Sequence, residues 1–305
     1  LIVMAAVSLF DYNWILRFQW IFYAATIGLL VLTKLWGVDI NGSKRWFEIP
    51  IIHFRFQPSE MAKIIIILFF AKFFADRIDD MRKTKNVLLS LLLVAPILLL
   101  ILDQPDLSTT IASALIFCSL IFVAGISYKW VLGVLAVLVP AVIVLVYLIL
   151  TENSILLEGY QALRILAWLY PDRYPDISYQ QQNSIMAIGS GQLTGKGLNN
   201  NVVASVKNGN FISEPQTDFI FAIVGEELGF IGCCVVVILI FLIVFELLNM
   251  ARKARDISGT LFCTGMAALI GFQSFLNMGV ATGLIPNTGI PLPFVSYGLT
   301  SMVRL

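Results

Sequence analysis

Six stretches of this chain, 18–33, 87–102, 108–126, 130–150, 228–245 and 259–285, contain no Asp, Glu, Lys or Arg. A helix that crosses the hydrocarbon of a bilayer needs about 20 mostly apolar residues, so each run is a candidate span. Segment 61–75 is shorter and carries Lys63 and Lys72, and partial spans lie at 1–10 and from 298 onward. In lipid every backbone polar group must be satisfied internally, and the alternating ten-residue pattern of a barrel strand is not seen, which leaves helices. The expectation is an all-α polytopic membrane protein with about nine membrane-crossing segments. Composition agrees: 59% of the 305 residues are hydrophobic and 13% charged, where soluble domains carry roughly a quarter charged residues. Mean hydropathy is +0.88.

A net charge of +1, with no basic patch, gives no electrostatic case for nucleic acid. Cys118, Cys233, Cys234 and Cys263 all lie in apolar runs, away from polar partners, and read as small buried core residues. The chain opens and closes inside apolar runs, so it reads as a fragment cut at both ends.

Loop charge sets orientation. One side holds Arg17, Arg77, Arg82, Lys83, Lys85, Lys129, Arg252, Lys253 and Arg255; the other holds Lys34, Lys44, Arg45 and Arg55. The richer set belongs in the cytoplasm, which turns 37–58, 103–107, 151–217 and 285–297 outward. The loop at 151–217 carries five acidic and four basic residues, several aromatics (Tyr160, Trp168, Tyr170, Tyr174, Tyr179) and a glycine-rich stretch from 188 to 197. A loop this long is uncommon unless functional or disordered, and its aromatics favour a functional outer cap.

Ionisable groups near membrane depth are costly, so each is a candidate for function. Glu60 and Lys63 follow Gln57-Pro58-Ser59 and share a helix face, which suits either a structural ion pair or substrate contact. Asp106, in Asp103-Gln104-Pro105-Asp106, fits a helix cap and a functional carboxylate equally. Asp218 closes the long loop at the outer interface, where partial burial would favour proton uptake; a capping role competes. Glu226 and Glu227 follow on the same helix and need a polar cavity or counter-ions. Residues 286–298 hold three prolines and two further glycines, which rules out a regular helix and suits a cavity lining. Outward Lys44, Arg45, Arg55 and Lys196 would suit an anionic ligand such as a phosphate-bearing lipid head, or plain headgroup contact. His53 reads as an interfacial surface residue. No Ser-His-Asp set, nucleotide-binding loop or metal-spaced cluster is visible.

Six ordered motifs resemble the SEDS family (shape, elongation, division and sporulation), which includes RodA and FtsW. They are Lys44-Arg45-Trp46; Phe56-Gln57-Pro58-Ser59-Glu60; Gln104-Pro105-Asp106-Leu107; 187–191 with 195–197; 217–222 with 225–229; and 291–298. Gln216 stands where many relatives carry His, and Ser108, Gln192 and Leu299 stand where motif glycines occur. The resemblance implies a single ten-helix domain over 1–305, a fragment lacking the first helix and most of the last. It implies a peptidoglycan glycosyltransferase that polymerises lipid II outside the bacterial cytoplasmic membrane. Asp218 would be the essential carboxylate, taking the proton from the acceptor's 4-hydroxyl as it attacks the donor's anomeric carbon with inversion. Glu60 and Lys63 would form the supporting ion pair. Arg45, Gln57, Ser59, Asp106, Lys196, Thr217, Glu226 and Ser296 would meet the substrates, lipid II and polyprenyl-diphosphate-linked glycan. Arg45, Lys196 or a divalent cation, Mg or Mn, would stabilise the leaving diphosphate. A class B penicillin-binding protein is the implied transpeptidase partner. Rival roles are a lipid II flippase or transporter, which buried charges and a broken helix would also suit, and a scaffold that recruits the transpeptidase.

Overall fold

The computed structural model describes residues 11–40, 43–49, 54–150, 160–198, 212 and 216–297. All seven complete apolar segments are helices. After α1 (Tyr12–Arg17) come α2 (Gln19–Trp36), α3 (Pro58–Ala75), α4 (Thr84–Asp103), α5 (Leu107–Val123) and α6 (Tyr128–Leu150). Then follow α7 (Tyr160–Leu169), α8 (Pro175–Ser190), α9 (Ile220–Lys253) and α10 (Ile257–Ala281). Among the described residues five helices, α2, α4, α6, α9 and α10, are long and apolar enough to cross a membrane. The expected count of about nine is thus not reached there. α5 is 17 residues long, α3 carries Glu60, Lys63 and Lys72, and the partial spans at 1–10 and after 298 lie outside the described residues. Large apolar side chains such as Leu92, Val137 and Phe241 are exposed along these helices, as a lipid-facing surface requires.

Two compact units emerge. One draws on Leu1–Ile126 and Ile243–Phe272, the other on Ser127–Leu242 and Gln273–Gly298. In the first, α3 packs against α2 and α5 through an aromatic run. Phe69 stacks on Tyr23 of α2 with centroids 4.6 Å apart, and Phe70 meets Phe117 of α5 edge-on at 4.8 Å. Gly265 of α10 lies against Ile67 and Leu120, and an added Cβ would stand 2.6 Å from the Ile67 side chain. A small residue there lets helices approach closely, the usual device inside membranes.

Two regions read as loops carry regular structure. Between α2 and α3 lies an antiparallel sheet of β1 (Val38–Ile40), β2 (Ser43–Ile49) and β3 (Phe54–Phe56), in the order β1-β2-β3. Phe47 pairs with Phe56, rings 5.9 Å apart. His53 lies outside the described residues, as does much of 151–217, but α7 and α8 occupy the centre of that long stretch.

The cysteines correct an expectation. Cys233 is buried, Cys234 and Cys263 are half-buried, and Cys118 is exposed on α5. Lipid makes an outward apolar face inexpensive, so an apolar run does not by itself place a thiol in the core.

Candidate active site

The candidate residues fall into two polar constellations, one in each unit. In the first, Pro58 opens α3 at a position where its missing N–H costs nothing, which brings Ser59, Glu60 and Lys63 into the first turns. All three are buried, Lys63 to 1% exposure and Glu60 to 3%. The Lys63 ammonium lies 2.8 Å from Glu60 Oε2, so the spacing forms the ion pair it suggested. Thr109 of α5 donates its hydroxyl to Glu60 Oε1 at 3.4 Å.

Asp106 is the N-cap of α5, and its Oδ1 accepts the Thr109 N–H at 3.1 Å. Its Oδ2 faces α3 and accepts from Gln57 Nε2 at 2.7 Å and Ser59 Oγ at 3.4 Å. Capping and the polar network are therefore one arrangement. Arg45 of β2 donates from Nε to the Gln104 carbonyl at 2.9 Å and from Nη2 to the Pro105 carbonyl, which fixes the corner before Asp106. Gln104 is itself buried and donates to the Leu30 carbonyl at 3.0 Å. Arg45, read as an anion ligand, is here engaged by backbone.

The second constellation surrounds Asp218, which sits half-buried in the turn before α9. That turn is stitched to the irregular segment 282–297. Ser296 Oγ donates to the Thr217 carbonyl at 2.6 Å while accepting the Leu292 N–H at 2.7 Å. Tyr297 N–H reaches the Gln216 carbonyl at 2.9 Å, and Asn277 Nδ2 reaches the Asp218 carbonyl at 2.7 Å. The irregular segment has no helical ladder, so side chains meet its carbonyls instead. Trp168 Nε1 donates to Gly283, Arg164 to Asn287, Gln181 to Val280 and Ile285, and Gln273 to Pro291.

Asn277, Gln273 and Gln181 were not among the expected site residues. For Asn277 and Gln273 the available signal was an amide within an apolar run free of charge, which in lipid needs a partner; Gln181 stands in a polar stretch and carried no such signal.

Beside it, α9 breaks at Gly229, whose backbone (φ 65, ψ −162) leaves the helical region. The glycine-rich stretch inserts at the break. Lys196 and Gly197 donate their N–H groups to the Glu226 and Glu227 carbonyls at 2.9 and 3.0 Å. Phe230 and Ile231 donate theirs to the Gln192 and Leu193 carbonyls at 2.9 and 3.2 Å. The open ends of both half-helices are thus satisfied by one strap. Gly191 and Gly195 allow the approach, since a side chain on either would collide with the Gly225 or Glu227 carbonyl. Lys196 Nζ pairs with buried Glu226 Oε1 at 2.8 Å. Among the described residues no group of three or more His, Cys, Asp or Glu side chains converges as a metal site.

Together these features define a polytopic helical membrane protein with buried charges and an irregular, side-chain-supported segment around one carboxylate. The chain belongs to the FtsW/RodA/SpoVE family of cell cycle proteins, which it matches over residues 1–305. It is 34% identical over 280 residues to the probable peptidoglycan glycosyltransferase FtsW of Haemophilus influenzae, covering 90% of this chain and 67% of that one. It is 35% identical over 284 residues to the peptidoglycan glycosyltransferase MrdB of Escherichia coli K12, covering 93% and 73%. Among solved structures it resembles a chain of a peptidoglycan synthase complex that coordinates polymerization and crosslinking (TM-score 0.76, 28% identity, 97% of this chain and 79% of that one). It also resembles the Thermus thermophilus rod shape determining protein RodA (TM-score 0.66, 28% identity, 98% and 77%).

Proposed function

We propose that this protein is a peptidoglycan glycosyltransferase that polymerises lipid II at the outer face of the cytoplasmic membrane, with Asp218 as the general base. The observation that carries the reading is the anchored turn at 216–218: a half-buried carboxylate whose backbone is tied down by Asn277, Ser296 and Tyr297. The relatives' names supply the reaction class. Asp218 accepts the proton of the acceptor's 4-hydroxyl as that oxygen bonds to the donor's anomeric carbon. The anomeric carbon–oxygen bond to diphosphate breaks, and the diphosphate leaves with the electron pair, so the centre inverts. Diphosphate is a good leaving group and needs no general acid.

The buried Glu60–Lys63 pair and the Asp106 network hold the α3 and α5 ends that face the same side as the β sheet. Gln57 and Arg45 lie at their rim, where a polar head would be met, with Ser59 buried behind them. Lys196 and Glu226 hold the strap at the α9 break, with Thr217 and Ser296 fixing the turn. A single transmembrane domain over 1–305 with 151–217 outside, and a class B penicillin-binding protein as partner, complete the reading.

The test is Asp218→Asn beside wild type, each purified with the transpeptidase in detergent and given lipid II. Glycan polymer is expected from wild type and none from the variant, with both folded. Polymer from both would remove Asp218 from the mechanism. Polymer from neither would bring forward a flippase, whose activity needs two separated aqueous sides.

A further inference from the structure

Asn277 lies near the C-terminal end of α10 and is 1% exposed. Its amide nitrogen donates twice, to the Asp218 carbonyl at 2.7 Å and to the Ile290 carbonyl at 2.6 Å. Its Oδ1 has no hydrogen-bond partner among the described residues. A buried acceptor without a donor opposes stability, so this amide serves through its two N–H groups. Those groups join two strands of chain that have no ladder of their own. Next to Ile290 stands Gly289 with φ 68, a conformation that side-chain-bearing residues rarely adopt. A Cβ there would stand 3.1 Å from Asp218 Oδ2, so the bare glycine backbone lies directly against the carboxylate.

We propose that Asn277 is a positioning residue for Asp218, clamping its backbone to Ile290 so that the Gly289 backbone forms the seat of the carboxylate. The inference rests on Asp218 being the general base. The clamp fixes the origin of the side chain and the seat limits where its oxygens go. Together they set the distance from Oδ2 to an incoming hydroxyl. Rate is steep in that distance, and a misplacement of about 1 Å can cost about 100-fold.

The experiment measures kcat and KM for lipid II polymerisation across pH, with thermal unfolding alongside, on the detergent-purified protein with its transpeptidase. Asn277→Leu keeps the outline and removes both donors. It is expected to lower kcat by about 10- to 100-fold, leave KM within about twofold, and displace the pH midpoint of kcat. Asn277→Ser, which returns one donor, should recover part of the loss. Gly289→Ala should displace the same midpoint without touching Asn277.

An Asn277→Leu enzyme with wild-type kcat and pH profile, whatever its unfolding temperature, would reduce Asn277 to a helix-packing residue and overturn the proposal. Should Asn277→Leu fail to fold, Gly289→Ala decides, and an unchanged kcat and pH profile there overturns it. Polymer from Asp218→Asn in the same series would instead strike down the underlying reading, and this one with it.

Discussion

Glu60 and Lys63 place two opposite charges where neither alone is tolerable. Removing one partner from such a pair leaves a buried charge without compensation, which typically costs about 3–5 kcal/mol, whereas replacing both by uncharged groups is often close to neutral. Lys63→Met should therefore lower stability in detergent unfolding by an amount of that order. Glu60→Gln combined with Lys63→Met should regain most of it. A double variant no more stable than Lys63→Met would show that the two do not act as a unit. The pair was readable because a spacing of three on a helix fixes geometry. Arg45 and Lys196 were readable only as positive charges. Nothing in a loop sequence reveals that one will meet the Gln104 and Pro105 carbonyls and the other Glu226. Asn277 and Gln104 carry no charge at all, and a neutral amide, whether in an apolar run or between two carboxylates, does not declare which distant carbonyl it will serve.

The break in α9 is an element-scale feature whose energetics sit in the backbone. At Gly229 a methyl group would meet Leu193 main-chain atoms at 2.7 Å, in a conformation that L residues avoid. Gly229→Ala should open the strap and lower the unfolding temperature. Gln192 shows the opposite case. It adopts φ 49 where the family motif has glycine, and left-handed backbone costs a side-chain-bearing residue roughly 1–2 kcal/mol. Gln192→Gly should raise the unfolding temperature, less the entropy that glycine loses on folding. An unchanged unfolding temperature in both variants would mean that the strap carries no stability. The spans were legible because a charge-free run of about 20 residues has one solution in lipid. The sheet of β1, β2 and β3 was not, because strands of three and seven residues are too short to show a period.

At the scale of the molecule, ion pairs gather at both ends of the helices of the first unit. Lys34 at the end of α2 pairs with Asp103 at the end of α4 at 2.6 Å, beside the Arg45 and Asp106 contacts. Lys72 with Asp76 and Lys83 with Asp80 follow the other end of α3. Exposed pairs like these stabilise little, and the faces they occupy are assigned by the loop charges alone. A cysteine placed at Asp172 is expected to react with a membrane-impermeant maleimide in intact spheroplasts. One placed at Asp79 should react only after permeabilisation, and the reverse pattern would invert the orientation. What one sequence could not convey was pairing over long separations, such as Ser296 with Thr217. The strap across the α9 break has one more consequence. Its four exchanges join main-chain atoms only, so they are indifferent to most side chains and depend on uninterrupted spacing. A purification tag or fused reporter placed between 192 and 197 would therefore unwind a helix more than thirty positions downstream, while the short connection at 76–83 offers an insertion point with no such debt.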